Sequence, residues 1–347
     1  MKKRLLQYSL SALLTVGFLY ATYRSADPER ILASLHGVNY WWIVALVGIL
    51  VFSDYLRGIR WGIMLKPVKA SMGKTNLFSS VMIGYLLNNL LPRVGELSRS
   101  IALARLESVS VSSVLAATAA ERMLDLMTLA ILLLLLPVVY ESPLGNVFPW
   151  LGDAQNIATV ISILAIVGGL VIVFNRRLTE RLIRLVVRPL PEKFGQRLGS
   201  IATRFLDGLM FIREPSTFAP IILYTLPIWG LYVLMHYAGF LAFGLDGQLT
   251  MSAALVVLTI STLGIAIPSP GGTGTFHFFV VAALTGLYGV TPETAMGLAA
   301  VVHAAIFVGT SLVGLGFFFK DQQKLSDILR FTGKNDEQPS AKSEGVN

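Results

Sequence analysis

Three short stretches carry ionisable side chains, helix-breaking residues or both, and each lies within or next to a long apolar run. The first is Leu91-Pro92-Arg93-Val94-Gly95-Glu96-Leu97-Ser98-Arg99. Pro92 and Gly95 interrupt a helix there, because proline lacks an N–H and glycine loses the most backbone freedom. Asn88 and Asn89 add amide donors and acceptors one turn earlier. The second is Glu121-Arg122-Met123-Leu124-Asp125, in which Arg122 and Asp125 (i, i+3) and Glu121 and Asp125 (i, i+4) share one helix face. The third is Pro268-Ser269-Pro270-Gly271-Gly272-Thr273-Gly274, followed by Thr275 and a helical pattern. Its glycines permit close backbone approach, and N–H groups at the start of the following helix suit a phosphate or carboxylate. The shared chemistry is recognition of a charged or polar group in apolar surroundings.

The elements that carry these stretches are set by composition. Of 347 residues, 54% are hydrophobic and only 14% are charged, against roughly 25% charged in soluble domains. Apolar runs cover about residues 5–23, 40–56, 110–140, 157–174, 217–243 and 295–319, each near the length of a bilayer-crossing helix. Two further runs, 76–91 and 250–288, are short or broken, the second at 268–272. The runs are continuous rather than alternating, which excludes a β-barrel and points to an all-α polytopic integral membrane protein. The first run follows a basic start and lacks a small-residue cleavage site, so it reads as a retained span.

Charge sets orientation. Residues 57–74 hold five Lys/Arg (57, 60, 66, 69, 74) and no acid; residues 175–213 hold nine against three acids. Residues 141–155 hold none, and 244–248 only Asp246. The positive-inside rule puts the first pair in the cytoplasm, with both termini, and the second pair outside, in a cytoplasmic (inner) membrane. Parity then requires that 76–106 enter and return on the cytoplasmic side, and that 250–288 do so from outside. The expectation is six full spans plus two re-entrant hairpins entering from opposite faces, a possible inverted pseudo-repeat with halves 1–150 and 151–320 in one membrane domain, 1–320. Broken segments paired in this way point to a midplane site. Trp41 and Trp42 at one end of the second run, and Trp61 past the other, suit the two interfaces. Within 175–213, Arg177, Arg181, Arg184 and Arg188 alternate with Leu178, Leu182, Leu185 and Val186, which reads either as an amphipathic surface helix or as a topogenic loop. The tail 321–347 is polar and expected to be disordered.

Several classes drop out. Without cysteine there is no disulfide or thiolate site, and the four histidines (His36, His236, His277, His303) lack metal-ligand spacing. His277 and His303 read as packed polar residues. No metal, cofactor, nucleotide motif or nucleic-acid partner is indicated, and the net charge of +8 records loop orientation.

The motifs Asn89-x-x-Pro92-Arg93-x-Gly95-Glu96-x-x-Arg99, Glu121-Arg122-x-x-Asp125 and Pro268-x-Pro270-Gly271-Gly272-x-Gly274 together resemble the lysylphosphatidylglycerol synthase transmembrane-region family, also called flippase-like. The resemblance covers about residues 5–320. It implies a helical bundle that moves a lipid headgroup between leaflets, along a route lined by Arg93, Glu96, Arg99, Glu121, Arg122, Asp125 and the 268–274 tip. Full synthases carry a soluble aminoacyl-transfer domain; the chain ends 27 residues after Lys320, so aminoacyl transfer is not expected of it.

Two readings stay open. In the first, the charged residues contact a headgroup, a phospholipid or lipid-linked sugar, during translocation. In the second, the chain is a membrane partner or a glycolipid-processing enzyme of glycosyltransferase type, with Glu96 facing Glu121 and Asp125 as acid and base. In either, membrane lipids are partners, with a homo-oligomer or a lipid-modifying enzyme besides. The charged residues themselves can equally pin a turn (Arg93 with Glu96) or clamp a helix (Glu121, Arg122 and Asp125).

Overall fold

The computed structural model describes residues 2–24, 27–91, 94–140, 154–189, 215–267 and 269–322, with positions 191, 195 and 199 besides. The expectations for Pro92, Arg93, Pro268, most of the 141–155 and 190–213 segments, and the tail from 323 lie outside the described residues. Among the described residues every regular element is helical.

Helix α1 spans Lys2–Tyr23, α2 Pro28–Leu35, α3 Tyr40–Met64, α4 Lys74–Leu90, α5 Gly95–Leu106 and α6 Val111–Val139. Then follow α7 (Ala154–Phe174), α8 (Arg176–Val187), α9 (Pro215–Ala242), α10 (Met251–Ala266), a 3₁₀ turn (Pro270–Gly272), α11 (Thr275–Tyr288) and α12 (Pro292–Lys320). Side-chain caps mark several starts: Asn39 accepts from the Trp41 N–H at α3, and Ser110 from the Ser113 N–H at α6. Gly289, in the left-handed region at φ 64°, ends α11, and Pro292 opens α12.

Among the described residues, four helices are long and apolar enough to cross a bilayer: α3, α6, α9 (as Ser216–Ala242) and α12. The bent pair α7–α8, turning by 112°, makes a fifth candidate. The described apolar part of α1, Ser11–Tyr23, is shorter. The outer faces of these helices expose Leu126, Val138, Leu164, Leu226 and Leu312. An apolar exterior of this kind, with charge turned inward, is that of a multi-pass helical membrane protein.

One expectation fails. The second run does not stop at residue 56 but continues as helix to Met64, so Arg57 and Arg60 are not loop charges and Trp61 is not an interface residue. Arg60 and Trp61 are fully buried and Arg57 nearly so. No proline occurs before Pro67, so the helix continues through Gly58 and Gly62, and the two arginines find acids inside the bundle.

Helices α4 and α5 pack antiparallel. A Cβ at Gly95 would meet the Gly84 carbonyl and Asn88, and one at Gly84 would meet Arg99, so the contacts run 88–95 and then 84–99. Their open ends are tied together by Glu107, which accepts from the Gly73 N–H (2.9 Å), the Asn76 amide (2.7 Å) and the Lys69 ammonium (2.5 Å). Helices α10 and α11 pack likewise, with Gly264 against Phe279. Their open ends are joined where the Gln248 amide donates to the Tyr288 carbonyl (2.6 Å), beside Tyr140 at the far end of α6. The two hairpin bases therefore sit at opposite ends of α6, and α12 runs from one base to the other, its Phe317 stacking on Phe78 near the start of α4. The hairpin tips approach each other beside the middle of α12. There the Asn89 amide donates to the Phe307 carbonyl and the Thr310 and Ser311 hydroxyls at 3.0–3.3 Å, and the His303 Nε2–H donates to the Gly271 carbonyl at 2.9 Å.

Candidate functional site

The polar interior is built from five helices around two carboxylates on α6. Arg57 on α3 donates from Nε to Glu121 (2.6 Å) and from Nη2 to Asp125 (2.5 Å). Its Nη1 reaches the hydroxyls of Tyr85 on α4 and Tyr232 on α9, both at 3.2 Å. Arg60, one turn on, donates to Asp125 (2.8 Å), Glu121 (3.2 Å) and the Thr225 hydroxyl (3.0 Å). From α5, Arg99 donates to the other oxygen of Glu121 at 2.6 Å and lies over the Trp61 ring, 4.8 Å from its centroid. An unpaired buried ion costs several kcal/mol, so this density of charge is tolerated only because each ion has partners.

The network is graded in exposure. Glu121 and Arg60 are sealed, Asp125 is 16% exposed, and Glu96 and Arg122 are 43% and 41% exposed. Glu96 accepts from Arg122 at 2.8 Å and stands 3.1 Å from Arg99 Nε, while Arg122 lies 3.5 Å from Asp125. Glu96 and Arg122 line a cleft of about 30 Å³ with Gly84, Tyr85, Asn88, Gly95 and Arg99. That volume holds about two waters, not a headgroup, so a larger ligand requires the cleft to widen.

The residues singled out in the sequence separate into two sets. Gly95, Glu96, Arg99, Glu121, Arg122 and Asp125 converge on the network and its cleft. Asn89 joins instead the second tip, formed by Ser269, Pro270, Gly271, Gly272, Thr273 and Gly274. That tip is largely self-satisfied. The N–H groups of Gly272 and Thr273 bond the Ser269 and Pro270 carbonyls, and the Ser269 and Thr275 hydroxyls pair at 3.0 Å. The Gly272 and Thr273 N–H groups are thus used inside the 3₁₀ turn; the free N–H groups expected from the sequence belong to the following helix, which starts at Thr275. Gly271 (φ 56°), Gly272 (φ 77°) and Gly274 (φ 85°) all occupy the left-handed region, which explains the glycine content. The backbone of the second tip approaches an amide of the first: a Cβ on Gly271 would lie 3.0 Å from Asn89 Oδ1. His277 and His303 pack ring to ring, centroids 4.7 Å apart, as packed polar residues do.

Asp54, Arg57, Arg60, Tyr85 and Tyr232 went unrecognised in the sequence. Asp54-x-x-Arg57-x-x-Arg60 has helical spacing on one face, a signal masked by its position at the end of an apolar run, where arginine usually marks a loop.

Fold and site together define a multi-pass helical membrane protein whose interior is organised around one ionic network. Residues 8–314 match the model of the lysylphosphatidylglycerol synthase transmembrane region, and the chain belongs to that family. A UPF0104 membrane protein of Methanothermobacter thermautotrophicus is 25% identical, over 88% of this chain and 90% of its own. A second from the same organism is 26% identical, over 91% and 92%. The glycosyltransferase AglD of Haloferax volcanii is 24% identical over 88% of this chain and 53% of its own length, so this chain spans about half of that protein. No solved structure matches the chain.

Proposed function

We propose that this chain is a flippase-like protein that moves a polar, phosphate-bearing lipid headgroup, of a phospholipid or a lipid-linked sugar, between leaflets. The observation that carries this reading is the cleft between the first hairpin and α6. It is lined by the half-exposed pair Glu96 and Arg122 and backed by sealed ions within an apolar bundle. Intramembrane ionisable groups are functional candidates by default. The two hairpins with bases at opposite ends of α6 support a topology in which both are re-entrant, alongside six spans in the cytoplasmic membrane with both termini inside. In this reading the partners are membrane lipids, together with either a second copy or a lipid-modifying enzyme. Arg93 and the 268–274 tip belong to the same route.

A second reading, a partner or glycolipid-processing enzyme, draws on the glycosyltransferase name of one relative. Against it, Glu121 is sealed and held by three arginines, so it is poorly disposed to exchange protons with a substrate.

The test is a headgroup-accessibility assay in liposomes containing the purified protein, run without ATP. Faster exchange of a phosphate-bearing lipid than in empty liposomes is expected, slowed by Gly271→Val, whose Cβ would press on Asn89 and Phe307 at a left-handed position. If glycerophospholipids and polyprenyl-phosphate sugars all exchange no faster than in empty liposomes, translocation is wrong and the second reading takes its place.

A further inference from the structure

Asp54 lies on α3 one turn before Arg57 and is fully buried. Unlike Glu96, Glu121 and Asp125, it has no ion pair among the described residues, and neither carboxylate oxygen has a hydrogen-bond partner. The groups that face it are Arg57 on its own helix, Tyr85 on α4, Glu121 and Arg122 on α6, and Tyr232 on α9. Arg57 does not reach it, because its three nitrogens are engaged by Glu121, Asp125, Tyr85 and Tyr232. The Tyr85 hydroxyl accepts from Arg57 and also acts on Asp54, where it offsets part of the cost of burial, but it falls short of full hydrogen-bond geometry there. An ionised carboxylate so placed is strongly unfavourable, and protonation relieves it.

We propose that Asp54 is a proton-binding site linked to the ionic network, so that uptake of a proton there accompanies binding of an anionic headgroup at the Glu96–Arg122 cleft. With Asp54 protonated, four guanidiniums (Arg57, Arg60, Arg99, Arg122) face three carboxylates (Glu96, Glu121, Asp125), leaving one positive charge. A phosphodiester, singly negative, neutralises it. With Asp54 ionised the site is already balanced, and the same anion adds an uncompensated charge. Proton and anion therefore favour each other's binding, one for one, and by linkage headgroup affinity rises by up to about tenfold per pH unit as the pH falls through the titration of Asp54. The proposal rests on the reading of the cleft as a headgroup site.

Two measurements test it separately from that reading. Infrared difference spectra of the purified protein between alkaline and acid pH should show the C=O stretch of a protonated carboxylic acid that is missing in Asp54→Asn and retained in Asp54→Glu. No such band at any pH, or one that persists in Asp54→Asn, overturns the proposal. Addition of short-chain phosphatidylglycerol should then raise the pH at which the band appears; an unmoved titration overturns the linkage. In liposomes, exchange of phosphatidylglycerol should accelerate as pH falls in the wild type and lose that dependence in Asp54→Asn; an unchanged slope in the variant also overturns it. If no lipid exchanges at any pH, translocation falls, while the infrared titration with and without lipid still decides the proton site.

Discussion

The two helical hairpins have the same outline and different interiors. The first, α4–α5, is held by ions: Arg99 reaches Glu121, Glu96 meets Arg122, and Glu107 ties the base. The second, α10–α11, is held by close packing and neutral hydrogen bonds: Gly264 against Phe279, Ser269 with Thr275, His303 with Gly271. An ionic interior tolerates water and can exchange partners, so a cleft can persist beside it. A packed interior tolerates neither. The comparison teaches that two hairpins of one outline need not share one chemistry: among the described residues the ion pairs gather beside the first.

The sharpest way to break the contrast is to remove one ion. Arg57→Ala leaves Glu121 and Asp125 undercompensated and should cost about 3–5 kcal/mol, read as a loss of thermal stability in detergent. Ser269→Ala, which removes one neutral hydrogen bond in the second region, should cost about 1 kcal/mol. Equal losses would mean that the two interiors are held alike. Next in size is Gly95→Val, where the new side chain collides with the Gly84 backbone and Asn88; overpacking of this kind costs about 1–3 kcal/mol. A variant as stable as wild type would show that the first hairpin is looser than its contacts.

Glu96→Gln sharpens the comparison from the other direction. Glu96 and Arg122 are both more than a third exposed, so stability should change by less than about 1 kcal/mol, while lipid exchange falls to the level of empty liposomes. Full activity in this variant would reduce the cleft pair to surface decoration. The smallest effect concerns Glu107. Burial opposes its ionisation, but the Lys69 ammonium and the hydrogen bonds from Asn76 and Gly73 outweigh it and hold the carboxyl below the usual carboxylate range. A depressed value means that the contribution is complete above the unfolded-state pKa, about 4.3, and is lost as pH falls through the folded one. Acid unfolding curves of wild type and Glu107→Gln should therefore converge at low pH; a constant gap would exclude this linkage.

Much of the helix layout was legible in composition. The run over 110–140 became α6, Val111–Val139, because nothing in it breaks a helix until Pro137 near its end. The breaks at Pro92-x-x-Gly95 and at 268–274 were legible because proline and glycine act locally. The partners of Glu121 were not legible, since Arg99 lies 22 residues away and Arg60 and Arg57 lie 61 and 64 away, and no local pattern joins distant ions. Arg57 and Arg60 were misread for a related reason: loop topology and buried pairing both place arginine at the end of an apolar run, and only the third dimension separates them. The pattern of arginine and leucine at 177–188 leaves an amphipathic helix and a topogenic loop equally open in the sequence; the structure has helix α8 there, with Leu182 and Leu185 exposed beside Arg181 and Arg184.

The knot at Glu107 also has a mechanical meaning. It anchors the start of α4 and the end of α5 to one point, while roughly 25 Å away the far end of α4 is held to α12 by the Asn89 amide, and between the two Met82 and Leu86 press on Gly314 of α12. A rod pinned at both ends and braced along its length is a strut. The cleft is lined on one side by that strut, through Gly84, Tyr85 and Asn88, so the α4 wall is its stiff side.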